Sequence, residues 1–153
     1  MSGQDGSAPS DAIDSAAERR VFVYGTLRRA STHRMATFLA AHARFLGEGT
    51  VRGVLVNLGS YPALSLPGET AVLGDLYEFS PETMDEGIAR LDAYEGCGPS
   101  DPQPHEYRKG TVDVTLDDGR VLQSSVYLLS GPPDRFERIE SGDYLGWQES
   151  RSG

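Results

Sequence analysis

From residue 21 onward, short apolar runs alternate with turn-forming residues, the pattern of a strand-rich protein with tight connections. Val21-Phe22-Val23-Tyr24 is a β-branched and aromatic run that stops at Gly25, so a strand is predicted there. His33 to His42 places Met35, Phe38 and Leu39 at helical spacing, which predicts a short helix. Between Phe45 and Leu58 lie two strand-like stretches. Tyr61 to Leu66 is expected to be a short extended segment before a turn at Pro67-Gly68, and Ala71 to Phe79 another strand. Gly110 to Leu116 and Val121 to Leu129 flank Asp117-Asp118-Gly119, the clearest hairpin signal in the chain. From Pro132 a short helix containing Phe136 and Ile139 is expected, then a turn at Gly142. Residues 1–18 are rich in Ser, Gly, Asp and Ala without apolar periodicity, which predicts a disordered tail before one domain at 19–149.

One helix carries chemical interest. Ser80 suits an N-cap, Pro81 the first helical position, and Glu82 places an acid in the first turn. Met84, Ile88 and Leu91 then form one apolar stripe, and four residues further the stripe reaches Glu95, with Gly96 as a stop signal. A carboxylate turned toward a core is costly to ionise, so its pKa rises from about 4.3 toward neutrality. In that range it can both take and give a proton near pH 7. A plainer reading has Glu95 at a fraying helix end, facing water. Asp85 and Asp92 lie off the stripe and are expected to be surface acids.

Composition narrows the function classes. The 18 glycines and 9 prolines among 153 residues agree with many turns. A net charge of −9 disfavours nucleic acid, whose phosphates such a chain would repel, and Lys109 is the only lysine. No apolar run approaches the roughly 18 residues of a membrane span. The first twenty residues lack the apolar core of a secretion signal, so a cytoplasmic protein is expected. Cys97 is the single cysteine, which excludes an internal disulfide or a CxxC metal knuckle. It has no neighbouring histidine to activate it.

His33, His42 and His105 lack metal-ligand spacing, and no GxSxG, P-loop or EF-hand motif occurs. Gly47, Gly49 and Gly53 give GxGxxxG, out of register with the dinucleotide fingerprint and followed by strand-like sequence. Neither metal nor cofactor is expected. More informative is Tyr24-Gly25-Thr26-Leu27, where a strand ending in glycine can offer main-chain N–H groups to a carboxylate or an oxyanion. Arg28 and Arg29 beside it are read as a solvated pair. Tyr94, Tyr107 and Tyr127 are candidate core aromatics whose hydroxyls need partners.

The segments Val21 to Leu27, Leu91-Asp92-Ala93-Tyr94-Glu95-Gly96 and Tyr107-Arg108, in that order, resemble the γ-glutamyl cyclotransferase superfamily. More narrowly, the chain is similar to its AIG2-like, γ-glutamylamine cyclotransferase branch over about residues 20–147. The resemblance implies an α+β fold, a small, mostly antiparallel β-barrel flanked by short helices. It implies a cavity in which Tyr24, Gly25, Thr26 and Leu27 cradle a γ-glutamyl group. Glu95 would be the catalytic acid and base, and Tyr107 would close the site. Between Glu95 and Tyr107 the loop is longer and more Pro-rich than the family pattern, with prolines at 99, 102 and 104.

The activity that this resemblance implies is release of 5-oxoproline and a free amine from a small γ-glutamyl amine, by a protein acting as monomer or homodimer. Removal of a γ-glutamyl protecting group from a biosynthetic intermediate uses the same chemistry. A non-catalytic module binding a small acidic metabolite is a different class of function, disfavoured by an intact carboxylate at position 95.

Overall fold

A computed structural model describes residues 15–25, 34–59, 61–94 and 107–152. A 3-10 turn, Ser15–Arg19, precedes β1 (Arg20–Val23), α1 (Arg34–His42), β2 (Arg44–Asn57) and β3 (Pro62–Glu78). Then come α2 (Met84–Tyr94), β4 (Tyr107–Leu116), β5 (Val121–Leu129), the two-residue β6 (Glu137–Arg138) and α3 (Tyr144–Ser152).

Five strands close on themselves in the order β1, β3, β2, β4, β5 and back to β1. The β1–β5 pairing and the single β3–β5 bridge, Leu64 with Leu128, are parallel, and the rest are antiparallel. β6 pairs with Val56 and Asn57 at the end of β2. This is the expected α+β barrel.

Two apolar clusters explain the strand patterns. Phe22, Tyr24, Leu64, Leu76, Val114 and Val126 fill the barrel. Val21, Val23, Tyr77, Phe79, Tyr107 and Tyr127 face outward, where Met35 and Leu39 of α1 and Leu91 of α2 join them. β1 is therefore buried on both faces, and after Arg20 it reads as an unbroken apolar run. β4 beyond its first residues has a solvated outer face, so Val112, Val114 and Leu116 alternate with exposed residues. Its hairpin with β5 forms as predicted, with Gly119 at φ 94° in the turn and Thr115 opposite Val121.

The helix predicted from the Met84, Ile88 and Leu91 stripe lies on this outer face, with Leu91 fully buried. Ser80 accepts from the N–H of Thr83 and caps a preceding turn, so the regular helix starts at Met84 rather than at Pro81. Gly87 lets α2 approach closely: a Cβ there would fall 2.4 Å from the Phe79 ring.

Several expectations need correction. The two stretches between Phe45 and Leu58 are one continuous strand, β2. Pro67-Gly68 is no turn between elements but an excursion within β3, where the pairing jumps from Gly53–Thr70 to Val54–Ser65. The helix expected at Phe136 and Ile139 is absent. Ile139 instead donates its N–H to the Leu55 carbonyl, and the helix follows the Gly142 turn. Residues 15–18, expected in the tail, form the 3-10 turn with Ala17 buried. Among the described residues no helix is long and apolar enough to cross a membrane.

Candidate active site

β1 delivers Tyr24 and Gly25 to one end of the barrel. The Tyr24 ring turns into the interior, where its hydroxyl donates to the Tyr127 carbonyl at 2.6 Å and accepts from the Leu64 N–H at 3.1 Å. Leu64 belongs to β3 and Tyr127 to β5, so one phenol joins the end of β1 to both neighbours. Tyr24 thus uses its side chain on the barrel and leaves the main chain after it as the feature this segment can present.

Gly25 comes directly next. A Cβ at this position would lie 2.9 Å from Cγ and 3.2 Å from Cδ of Pro62, whose ring has no flexible end to yield. Pro62 is buried, and its carbonyl accepts from the Tyr107 hydroxyl at 2.5 Å. Tyr107, itself buried, opens β4, and the half-exposed Tyr61 ring packs 6.1 Å from it. Through Pro62, Gly25 and Tyr107 become parts of one cluster although 82 positions separate them in the chain.

The end of α2 is tied to the same place. The Tyr127 hydroxyl donates to Oδ1 of Asp92 at 2.7 Å, while its main-chain carbonyl accepts from Tyr24. Lys109, opposite Tyr127 across the β4–β5 pair, holds Asp92 at 2.8 Å from Oδ1 and 3.0 Å from Oδ2. Asp92 is therefore not the solvated acid its place off the apolar stripe suggested. Tyr94 departs from expectation in the opposite sense, being 42% exposed, whereas Tyr107 and Tyr127 are buried with bonded hydroxyls.

Of the residues singled out in the sequence, the structure places Tyr24, Gly25 and Tyr107 in this cluster. Thr26, Leu27 and Glu95 lie outside the described residues, as do Arg28, Arg29, His33, Cys97 and His105. His42 bonds its Nδ1 to the Phe38 carbonyl and stacks on the Phe38 ring, away from the cluster. Among the described residues no group of three or more His, Cys, Asp or Glu side chains could hold a metal ion. Sequence reasoning missed Pro62 and Asp92. The only available signals were a proline beginning a strand and an acid on the last turn of the helix that leads to Glu95.

Comparison with known proteins bears on what this arrangement does. A family model described as gamma-glutamyl cyclotransferase, AIG2-like, matches residues 21–146. The structure of YkqA from Bacillus subtilis is similar at 27% identity with a TM-score of 0.64, covering 88% of this chain. This chain spans only 43% of YkqA's length. An AIG2-like protein from Mus musculus shares 28% identity at a TM-score of 0.62, over 82% of this chain and 88% of that one. The protein PH0828 from Pyrococcus horikoshii shares 25% identity at a TM-score of 0.58, over 87% and 95% of the two chains. No curated protein matches at a significant level.

Proposed function

The chain belongs to the γ-glutamyl cyclotransferase, AIG2-like family, and from that premise we propose that it releases 5-oxoproline and a free amine from a small γ-glutamyl amine. The observation that carries this reading is the double use of Tyr127. Its carbonyl holds Tyr24, and its hydroxyl holds Asp92, three residues before Glu95. The strand end bearing Gly25 and the helix end leading to Glu95 are thereby fixed to one residue.

Glu95 takes a proton from the α-amino group of the substrate. The freed amine attacks the γ-carbonyl carbon of the same molecule and closes a five-membered lactam. Main-chain N–H groups of Gly25, Thr26 and Leu27 hold the oxygen that becomes negative in the tetrahedral intermediate. As that intermediate collapses, the bond to the departing amine breaks, Glu95 returns the proton to it, and the ring nitrogen sheds its extra proton to water to leave the neutral lactam. Nucleophile and electrophile belong to one molecule, so the protein's task is to fold the substrate and move one proton. On this reading Tyr107, which donates to the Pro62 carbonyl beside Gly25, closes the substrate site.

The test is mass-spectrometric detection of 5-oxoproline across γ-glutamyl amines, γ-glutamyl-ε-lysine, γ-glutamyl amino acids and glutathione. We expect release from γ-glutamyl amines, a loss of roughly 10²-fold or more in Glu95→Gln, and a smaller loss in Tyr107→Phe. Turnover of Glu95→Gln at the parent rate overturns the role of Glu95. Absence of product from every substrate overturns the activity. Amine-by-amine rates also separate this reading from removal of a γ-glutamyl protecting group, which differs only in the leaving amine.

A further inference from the structure

The ladder between β1 and β3 stops before β3 does. Its pairs run Arg20–Glu78, Val21–Tyr77, Phe22–Leu76 and Val23–Asp75, while β3 extends past the last of them, back to Pro62. The phase of the ladder is set just before β1, where the Phe79 N–H donates to the Arg19 carbonyl at 2.8 Å. Bonded pairs alternate along an antiparallel ladder, so Val21–Tyr77 and Val23–Asp75 are bonded and Gly25–Leu73 would come next. The Leu73 N–H goes elsewhere. It donates to the Gly142 carbonyl at 2.8 Å, which thus holds the place on β3 that the Gly25 carbonyl would take.

The segment around Gly142 is braced to stay there. The Ile139 N–H donates to the Leu55 carbonyl of β2 at 2.8 Å, and the Gly142 N–H turns back to the Ile139 carbonyl at 3.1 Å. Gly142 has a φ of 74°, and a Cβ on it would fall 2.2 Å from the Ala71 carbonyl oxygen, so only glycine fits. Asp143 accepts from the Gly146 N–H at 3.1 Å and caps α3. Buried Tyr144 follows, with its Cδ2 atom 4.0 Å from the position of a Cβ on Gly25.

We propose that Gly142 is a positioning residue: it displaces the end of β1 from β3 and so frees the Gly25 main chain for a substrate oxygen. A continued ladder would commit the Gly25 N–H to the Leu73 carbonyl and the Gly25 carbonyl to the Leu73 N–H. Displaced by Gly142, the Gly25 N–H is available to the oxygen of an amide or a carboxylate. The proposal rests on the reading of Gly25 as an oxyanion donor in lactam formation.

The experiment uses the isotope-labelled full chain and begins with amide hydrogen exchange. Gly25 should exchange at least about 100-fold faster than Val23, whose N–H stays in the ladder. Titration with 5-oxoproline should then move the Gly25 amide proton downfield to saturation and leave that of Val23 in place. Gly142→Ala drives a methyl group against the Ala71 carbonyl and returns the Leu73 N–H to Gly25. We expect kcat to fall at least about tenfold with KM within about twofold, and Gly25 exchange to slow toward that of Val23. A merely structural Gly142 lowers the melting temperature of this variant but leaves kcat, measured well below melting, and Gly25 exchange as in the parent. That result overturns the proposal, as does a Gly25 amide protected like Val23 in the parent chain. Should Gly142→Ala fail to fold, the two measurements on the parent chain decide. Release of 5-oxoproline by a protein whose Gly25 amide does not respond to it refutes this role for Gly25 and spares the reaction. A responding Gly25 amide in a protein that turns over no γ-glutamyl compound refutes the reaction and spares the displacement.

Discussion

Tyr24→Phe removes a single oxygen from the barrel interior and leaves two main-chain groups short of a partner. The Tyr127 carbonyl loses its 2.6 Å donor and the Leu64 N–H its 3.1 Å acceptor, both in buried surroundings. Leaving a buried polar group without its bond costs about 1–3 kcal/mol. Partial relaxation of the pair makes about 2–4 kcal/mol a reasonable total for the two. For a domain of this size, each kcal/mol lowers the melting temperature by about 2–4 °C, so a fall of roughly 4–16 °C is expected. Urea unfolding monitored by the fluorescence of Trp147, which stacks on Tyr144 at 5.9 Å, measures the loss directly. The slope against denaturant should stay constant, because the surface exposed on unfolding is unchanged. A loss below about 0.5 kcal/mol, at the floor for a net hydrogen bond, would show that Tyr24 does not hold β1 to β3 and β5. Tyr24 would then not be what fixes the strand end beside Gly25.

Gly25→Ala drives a methyl group toward the Pro62 ring, at 2.9 Å, and should destabilise the fold by about 1–3 kcal/mol while lowering turnover at least tenfold. Parent-like melting and kinetics would mean the close approach is dispensable. Burial raises the pKa of Tyr144 above its ordinary value of 10.0. Above about pH 10 the native state then keeps a proton that the unfolded chain releases, so stability is complete below about pH 10 and declines as pH rises further. Melts between about pH 9 and 11.5 should show a shallower alkaline decline in Tyr144→Phe than in the parent. Identical slopes would count against burial as the cause of the shift.

Local chemistry was enough to foresee much of the chain. An apolar stripe at helical spacing placed α2 and buried Leu91, and an Asp-Gly between alternating runs placed the β4–β5 hairpin, because both signals act within a few residues. Pairing across the barrel decided what those signals left open. β2 and β3 form long continuous strands because each supplies the other's hydrogen bonds, and that ladder absorbs the Pro67-Gly68 excursion. The Leu55 carbonyl recruits the Ile139 N–H, so the segment near Phe136 adds to β2 instead of coiling. Asp92 was misjudged for the same reason: its partners lie 17 and 35 residues away on two strands. The candidate motifs at 24–27 and 91–96 were legible as short strings of residues. That Gly25, Pro62 and Tyr107 share one end of the barrel, with Tyr127 holding both Tyr24 and Asp92, results from closure of the sheet. Closure depends on contacts between distant segments, which no periodicity along the chain can record.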